Sequence, residues 1–461
     1  MSTVDAKVSG VVPRRRILVA SMVGTTIEFY DFYAYATAAV SVFPHLFFPK
    51  GNPTTALLAS LATFGLAFVA RPVGSVLFGH FGDRVGRKAT LIGSLLTMGI
   101  ATFAIGLLPT YQQAGLVAPV LLAVMRFSQG LALGGEWSGA ALLATETAEP
   151  SRRARAATWP QLGAPFGFLL ANGIFLILIT WLGHSNAKPD LDGAFLTWGW
   201  RIPFLLSVVM VAIGLYARLR LTETPVFAKA LERGERVRAP LTAVFRSSWR
   251  ALVIGTFVML ATYTLFYTVT TWALSYGTSK KPPDGTGLGF NYVDFLYLQL
   301  IAVLFFAATV PIAGALADRF GRRRTLLVIT AAIMLYGTTF SVLLAPGSAT
   351  KSSTLVFLVV GMTLMGLTFG PMSAVLPELF PTNVRYTGSG ISYNVASILG
   401  AAVAPFIATW LATQYGVGWV GVYLIVAALL TFTALLVLHE TKDISLDDPI
   451  ADHVGDVVHP G

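Results

Sequence analysis

The sequence predicts an all-α membrane protein of twelve transmembrane helices arranged as two six-helix bundles. Three observations predict it: an apolar composition, twelve apolar runs of membrane-spanning length, and basic residues confined largely to alternate loops. The chain has 461 residues, of which 55% are hydrophobic and only 12% charged, and its mean hydropathy is +0.70. Soluble domains carry about 25% charged residues, so this chain lacks the polar surface that a water-soluble protein of its size needs.

A spanning helix requires roughly 20 apolar residues. Taken in order, the runs cover about 17–42, 56–80, 89–108, 116–144, 157–182, 201–220, 250–277, 292–317, 325–345, 354–376, 388–412 and 417–438. The first run follows Arg14, Arg15 and Arg16, as in a secretory signal. Glu28 and Asp31 would break the apolar core of such a signal, and no small-residue cleavage site follows, so it is read as an uncleaved first helix. Between the sixth and seventh runs, Leu221 to Arg250 is polar and charged with no apolar span. The expected division is a tail over 1–16, a bundle over 17–220, a central loop over 221–249, a second bundle over 250–438 and a tail over 439–461.

The loops on the side of the N-terminus hold 24 of the 32 Lys and Arg residues, and the opposite loops hold 6. The positive-inside rule therefore places both termini and the central loop in the cytoplasm of a multi-pass cell-membrane protein. The net charge of +10 suits loops facing anionic lipid, not nucleic acid, because the basic residues sit in short clusters between apolar runs. There is no cysteine, which excludes disulfides and thiolate metal sites, and the six histidines show no pair at ligand spacing. No metal or other cofactor is expected. The absence of an Asn-x-Ser/Thr acceptor favours a bacterial membrane.

The two halves repeat. "GHFGDRVGRKATL" (79–91) returns as "GALADRFGRRRTL" (314–326), identical at seven of thirteen positions and displaced by 235 residues. Gly130 and Gly134 recur as Gly366 and Gly370, displaced by 236. A constant displacement over separate motifs indicates duplication of a six-helix unit, and parallel repeats of that kind place a substrate cavity near the midplane between the halves.

The loops after the second and eighth runs resemble the signature of the major facilitator superfamily. "EFYDF" (28–32), "ARPVGSVLFGHFGDRVGRK" (70–88), "RFSQGLALGGEW" (126–137), "QLGAPFG" (161–167) and "WGWRIPF" (198–204) resemble its metabolite:proton symporter family, from roughly 17 to 442. That resemblance implies the major facilitator fold and transport of dicarboxylates, shikimate, or proline and betaines. "LTETPVF" (221–227) and "HETKD" (439–443) are similar to sugar-transporter loops, but the seventh run reads "ATYTLFYTVTTW", without the paired glutamines of a sugar site. The conformational-gating candidates are Gly79, Asp83, Arg84, Gly86 and Arg87 in the first loop and Asp318, Arg319, Gly321 and Arg322 in its repeat, with Glu378 and Arg385. A carboxylate at that surface can pair with a neighbouring helix end and lock one conformation.

The charges inside the apolar runs carry the chemistry. A carboxylate at the centre of a membrane helix costs about 2.5–3.5 kcal/mol on insertion scales, so such groups mark pathways. Glu28, Asp31 and Glu136 face only Arg71 and Arg126, so two pairs can neutralise and one carboxylate remains to carry a proton. Asp31 is favoured, with Tyr35 one turn on along the same face; Glu28 and Glu136 stay open. Structural pairing of the two helix-one acids with the arginines is the competing reading. The substrate-binding candidates are Arg126, Arg71, Tyr35, Gln161, Tyr263 and Tyr267; singly, each aromatic is equally well read as helix packing. The glycine-rich "GLALGGEWSGA" lacks the strand–loop–helix context and Gly-Lys-Ser/Thr of a phosphate loop, and reads as close helix packing.

These features predict a proton-coupled symporter of a small carboxylated metabolite that functions as a monomer with proton, substrate and lipid as its partners. The alternative on the same fold is an exporter of drugs or other small molecules, less suited to two buried arginines. An intramembrane enzyme is disfavoured because no catalytic motif is present. An osmosensor is disfavoured because the tail has no sustained heptad. The orientation is directly testable, since single cysteines are clean reporters in a cysteine-free chain. A cysteine replacing Ser279 is expected to react with an impermeant thiol reagent in intact cells, and one replacing Ala230 is not; the opposite pattern overturns the orientation.

Overall fold

The computed structural model describes residues 14–49, 51–85, 87–134, 136–146, 148–182, 193–219, 244–246, 248–283, 285–381, 384–442 and 444, with the side chains of 14–17, 79–91, 143, 146, 150 and 217–219 outside the description. Twelve helices make up the membrane region of these residues. They are α1 (Arg14–Ser41), α2 (Pro53–Val85), α3 (Arg87–Leu107), α4 (Val117–Leu133 and Glu136–Glu146), α5 (Arg153–Leu182) and α6 (Gly199–Tyr216) in the first half. The second half holds α7 (Trp249–Thr278), α8 (Tyr292–Phe320), α9 (Arg322–Gly337), α10 (Lys351–Glu378), α11 (Arg385–Tyr415) and α12 (Val417–Val437). Nine of them are individually long and apolar enough to cross a membrane; α1, α3 and α9 are not among those nine.

Several helices extend past their apolar runs: α1 begins at Arg14, α2 continues to Val85, α5 begins at Arg153 and α10 ends at Glu378. Hydropathy marks the hydrocarbon core, whereas backbone hydrogen bonding continues into the polar interface. The ninth run ends earlier than expected, at Gly337, and a short helix over Phe340–Leu343 follows. Two helices carry a wide turn: Thr268–Trp272 in α7 and Ile398–Ala402 in α11 are π-helical. Such turns free backbone groups locally and recur at functional sites.

The duplication seen in the sequence is a duplication of packing. In the first half α1 lies on α5, α2 on α4, and α3 on α4 and α6. In the second, α7 lies on α11 and α12, α8 on α10, and α9 on α12. The repeated glycines lie at two of these close contacts. Gly130 and Gly134 of α4 sit against the backbone of α2 at Ala67, Arg71 and Ser75, while Gly366 and Gly370 of α10 sit against α8 at Phe306, Thr309 and Val310. A side chain at any of these four positions would overlap the facing helix, so only the absence of a Cβ permits the approach. The bundles meet along α5 with α8 and α10, and along α11 with α2 and α4, a pairing related by the same repeat.

The glycine contact generates a stability prediction. Gly130→Leu is expected to lose the monodisperse detergent-solubilised species on size exclusion, because the new side chain would occupy the backbone of Ala67. Gly173→Leu on α5, where nothing lies within 4 Å of the added carbon, is expected to elute as the wild type does. Equal behaviour of the two variants would mean that the α2–α4 approach is not obligatory.

Candidate functional site

α1, α2 and α4 bring two arginines into the centre of the first bundle. Arg126 on α4 is wholly buried. Its guanidinium carbon lies 4.1 Å from the ring centre of Tyr35, 4.3 Å from that of Phe32 and 4.8 Å from that of Phe64. Nε donates to the Phe64 carbonyl at 3.3 Å and Nη1 to Oε1 of Gln129 at 3.0 Å. Nη2 has no hydrogen-bond partner. The charge count allowed for two acid–base pairs, but among the described residues Arg126 makes no ion pair. Aromatic faces surround it instead, each such contact contributing roughly 0.5–2 kcal/mol.

Arg71 on α2 is the cation nearer the second bundle. Its guanidinium carbon lies 4.9 Å from the ring centres of both Phe32 and Phe68, so Phe32 serves both arginines. Glu28, Tyr263, Tyr267 and Tyr393 are within its electrostatic reach. Three of those four groups come from α7 and α11. Tyr267 packs edge-on to Phe68 at 5.4 Å, Tyr263 stacks along Tyr267 at 6.5 Å, and Tyr263 meets Tyr393 at 5.3 Å. The i, i+4 pair Tyr263 and Tyr267 thus reaches the arginines of the opposite bundle.

Asp31 is 1% exposed, and among the described residues neither carboxylate oxygen has a hydrogen-bond partner. The polar side chain beside it is Thr102 of α3. Tyr35 contributes its ring to Arg126 and donates its hydroxyl to Thr63 at 3.3 Å. Glu28 and Glu136 are both buried, Glu136 in the second segment of α4. Gln161 lies apart from the arginines: its Nε2 donates to the Phe369 carbonyl at 2.8 Å, and its Oε1 accepts from Trp137 Nε1 at 3.2 Å. Both ends of that amide are engaged in joining α5 to α4 and to α10. Trp137 also stacks on Tyr393 at 3.9 Å, across the bundle interface.

A second polar cluster lies at the end of the bundles where α5 begins and α10 ends. The Asp318 carboxylate accepts from the backbone N–H groups of Ala154 and Arg155, both at 3.0 Å, and approaches Arg322 at 3.3 Å. Arg322 and Arg153 meet the Glu378 carboxylate at 3.2 and 3.4 Å, and the Thr441 hydroxyl donates to it at 2.7 Å. Glu440 accepts from the backbone of Arg322 and Arg323 at the start of α9. Gly321 joins α8 to α9 with a φ of 97°, a conformation that favours glycine. Arg319 points elsewhere, its guanidinium over the Phe320 ring; Arg385 donates to the Phe380 carbonyl at 3.1 Å. Gly86 and the side chains at Gly79, Asp83, Arg84 and Arg87 lie outside the described residues.

The family model of the Major Facilitator Superfamily matches residues 21–399. The chain belongs to the Major Facilitator Superfamily. It is 57% identical over 434 residues to the inner membrane metabolite transport protein YhjE of Escherichia coli, covering 94% of this chain and 96% of that one. It is 35% identical to the shikimate transporter of Escherichia coli, covering 93% and 95%, and 31% identical to the proline/betaine transporter of the same organism, covering 93% and 84%. Among solved structures it resembles the proton:xylose symporter XylE, with a TM-score of 0.73 at 17% identity, covering 94% and 97%. The protein is therefore a multi-pass membrane transporter of metabolites and not an enzyme.

Sequence reasoning did not single out Gln129, Thr102, Tyr393, Arg153, Glu440 or Thr441. Gln129 was within reach, because it follows Arg126 by three residues and so stands one turn away on the same face. Tyr393 and Thr102 carry no charge and sit in unremarkable apolar runs, so nothing local distinguishes them.

Proposed function

We propose that this transporter is a proton-coupled symporter of a small carboxylated metabolite, working by alternating access between its two bundles. The observation that carries the reading is Arg126: a wholly buried guanidinium with, among the described residues, no carboxylate partner and one nitrogen without a hydrogen bond. A buried charge left unpaired costs several kcal/mol, and an arriving carboxylate would relieve that cost. The relatives named for shikimate and for proline and betaine support a substrate bearing a carboxylate. On this reading Arg126 and Arg71 receive the carboxylate, Tyr35, Tyr263 and Tyr267 line the body of the substrate, and Asp31 carries the proton. The cluster of Asp318, Arg322, Glu378 and Arg153 is the gate on the cytoplasmic side, where both termini also lie, and a monomer suffices.

Lysine has the charge of arginine but not its planar fork, so it cannot hold Phe64, Gln129 and a substrate together. Arg126→Lys is expected to lower substrate affinity about tenfold, or about 1.4 kcal/mol, with normal membrane insertion. Uptake into proteoliposomes across a panel of radiolabelled organic acids and betaines measures it, and unchanged affinity for the transported compound removes the carboxylate assignment.

Asp31→Asn mimics the protonated acid permanently. Accumulation driven by an imposed pH gradient is expected to collapse, while exchange of labelled for unlabelled substrate persists, since exchange requires no proton release. Each proton entering with substrate at about 100 mV supplies about 2.3 kcal/mol, so the contrast is some fiftyfold in accumulation. Retained accumulation in Asp31→Asn removes Asp31 as the obligatory carrier.

A further inference from the structure

Asp31 and Arg126 form no ion pair, yet two buried hydrogen bonds lead from Arg126 to Thr102, the residue beside Asp31. Arg126 Nη1 donates to Gln129 Oε1 at 3.0 Å, and Gln129 Nε2 donates to the Thr102 hydroxyl at 2.7 Å. Thr102 stands beside Asp31. Arg126 and Thr102 are fully buried and Gln129 and Asp31 nearly so. Both of these donors point the same way, from the guanidinium toward Thr102. The Thr102 hydroxyl has a single proton, and it now donates that proton to the Met98 carbonyl one turn back, at 3.0 Å. The two Asp31 oxygens meanwhile stand without a hydrogen bond.

We propose that Thr102 and Gln129 are positioning residues that transmit the protonation state of Asp31 to Arg126, with the Thr102 hydroxyl turning between Asp31 and the Met98 carbonyl. The proposal rests on the reading of Asp31 as proton carrier and Arg126 as substrate cation. When Asp31 is ionised, the Thr102 hydroxyl donates to it. Its oxygen then becomes a better acceptor for Gln129, since chained hydrogen bonds polarise one another, and Gln129 in turn grips Nη1. When a proton binds an Asp31 oxygen, the demand on Thr102 ends and its hydroxyl returns to Met98. The hold of Gln129 on Nη1 weakens, and Nη1 joins Nη2 in facing a carboxylate. No proton travels along the chain, and no group in it other than Asp31 changes charge. Substrate binding is thereby favoured after protonation, the order that symport requires.

Other ionisable groups on the surrounding helices bound this argument. α1 itself carries Glu28, Tyr30, Tyr33 and Tyr35; α2 carries Arg71; α4 carries Arg126 and Glu136; α7 carries Tyr263 and Tyr267. α6 has Arg201 and Tyr216 toward its ends, α5 has Arg153 and Arg155 at its start, and α3 has none in its apolar stretch from 92 to 107. The Tyr30 hydroxyl, on the residue next to Asp31, is already committed to the Pro203 carbonyl at 2.7 Å. Thr102 is accordingly the group placed to answer a change at Asp31.

The test needs no identified substrate. Infrared difference spectra of the purified full-length protein, recorded as pH is varied, isolate the carboxylic C=O band that disappears in Asp31→Asn. In Thr102→Val the transition of that band is expected to move to higher pH by about one to two units, the equivalent of losing one hydrogen bond made only to the ionised form. Thr102→Ser retains the hydroxyl and is expected to titrate as the wild type does. Gln129→Met is expected to shift the transition in the same sense by less, and the double variant Thr102→Val/Gln129→Met to match Thr102→Val alone, because both act through one chain. An unmoved transition in Thr102→Val, an equal shift in Thr102→Ser, or additive shifts in the double variant overturns the relay while leaving Asp31 as proton carrier. If Thr102→Val fails to fold, an unmoved transition in Gln129→Met overturns it alone. Absence of any Asp31-dependent band across the pH range in which the protein stays folded overturns the relay and the proton reading together.

Discussion

The central constraint in this molecule is a guanidinium held wholly buried inside the first bundle. Placing an ion in such an interior costs several kcal/mol even after relaxation. The usual remedy, a carboxylate at contact distance, is missing at Arg126. Three aromatic faces at roughly 0.5–2 kcal/mol each and two hydrogen bonds at about 1.5–3 kcal/mol each are of the same order as that cost. Tyr35, Phe32 and Phe64 therefore belong to the charge as much as to the packing. A ring offsets a cation without occupying its N–H groups. Rings therefore leave Nη2 open, which suits the carboxylate-receiving role proposed for Arg126.

The consequence spreads outward from that point. Phe32 is shared with Arg71, so the two cations are fixed relative to one another by one side chain of α1. Arg71 in turn faces tyrosines of α7 and α11, so the position of the second bundle is felt at the same centre. The α2–α4 approach that sets both arginines is itself enforced by Gly130 and Gly134. A rigid backbone contact thus places the charges, and softer aromatic contacts connect them to the second bundle.

Much of this was legible in the sequence, for reasons that can be named. Twelve apolar runs are a period-free signal that survives uncertainty in helix ends, and the repeat of "GHFGDRVGRKATL" as "GALADRFGRRRTL" fixed the relation between halves. Asp31, Arg71 and Arg126 were identifiable because a charge in an apolar run is costly anywhere. What could not be read was partnership. Gln161 reads as a substrate ligand, and the fold sets one donor and one acceptor of its amide on the Phe369 carbonyl and Trp137; a glutamine in a membrane helix announces only that some partner exists. Thr102 and Tyr393 were invisible for the opposite reason: threonine and tyrosine are ordinary in such helices, and their significance comes entirely from what the fold sets beside them.

The repeat also shows where duplication stopped. Counting 235 residues on from Arg71 gives Phe306, and 236 on from Arg126 gives Met362, both buried and apolar. The scaffold glycines are kept in both halves, but the charges are kept in one. At the cluster where α5 begins and α10 ends the halves are joined by charged contacts, Asp318 on the N–H groups of Ala154 and Arg155 and Arg153 on Glu378. Deeper in the interface they are joined by neutral bonds: Gln161 to the Phe369 carbonyl, Ser373 to the Ala157 carbonyl, and Asn394 to both Ser75 and the Gly134 carbonyl. Bonds of this kind contribute about 0.5–1.5 kcal/mol each, so the four together amount to about 2–6 kcal/mol. Swinging a two-state equilibrium from one side to the other takes about 5.5 kcal/mol. The neutral bonds alone are thus comparable with that figure, before the Asp318 and Arg153–Glu378 contacts are added. Had these two cations been duplicated, the second bundle would have needed its own compensating rings or acids, and like charges would have faced each other across the bundle interface. Keeping Arg71 and Arg126 in one bundle leaves tyrosines of the other, and not a second pair of cations, to face Arg71.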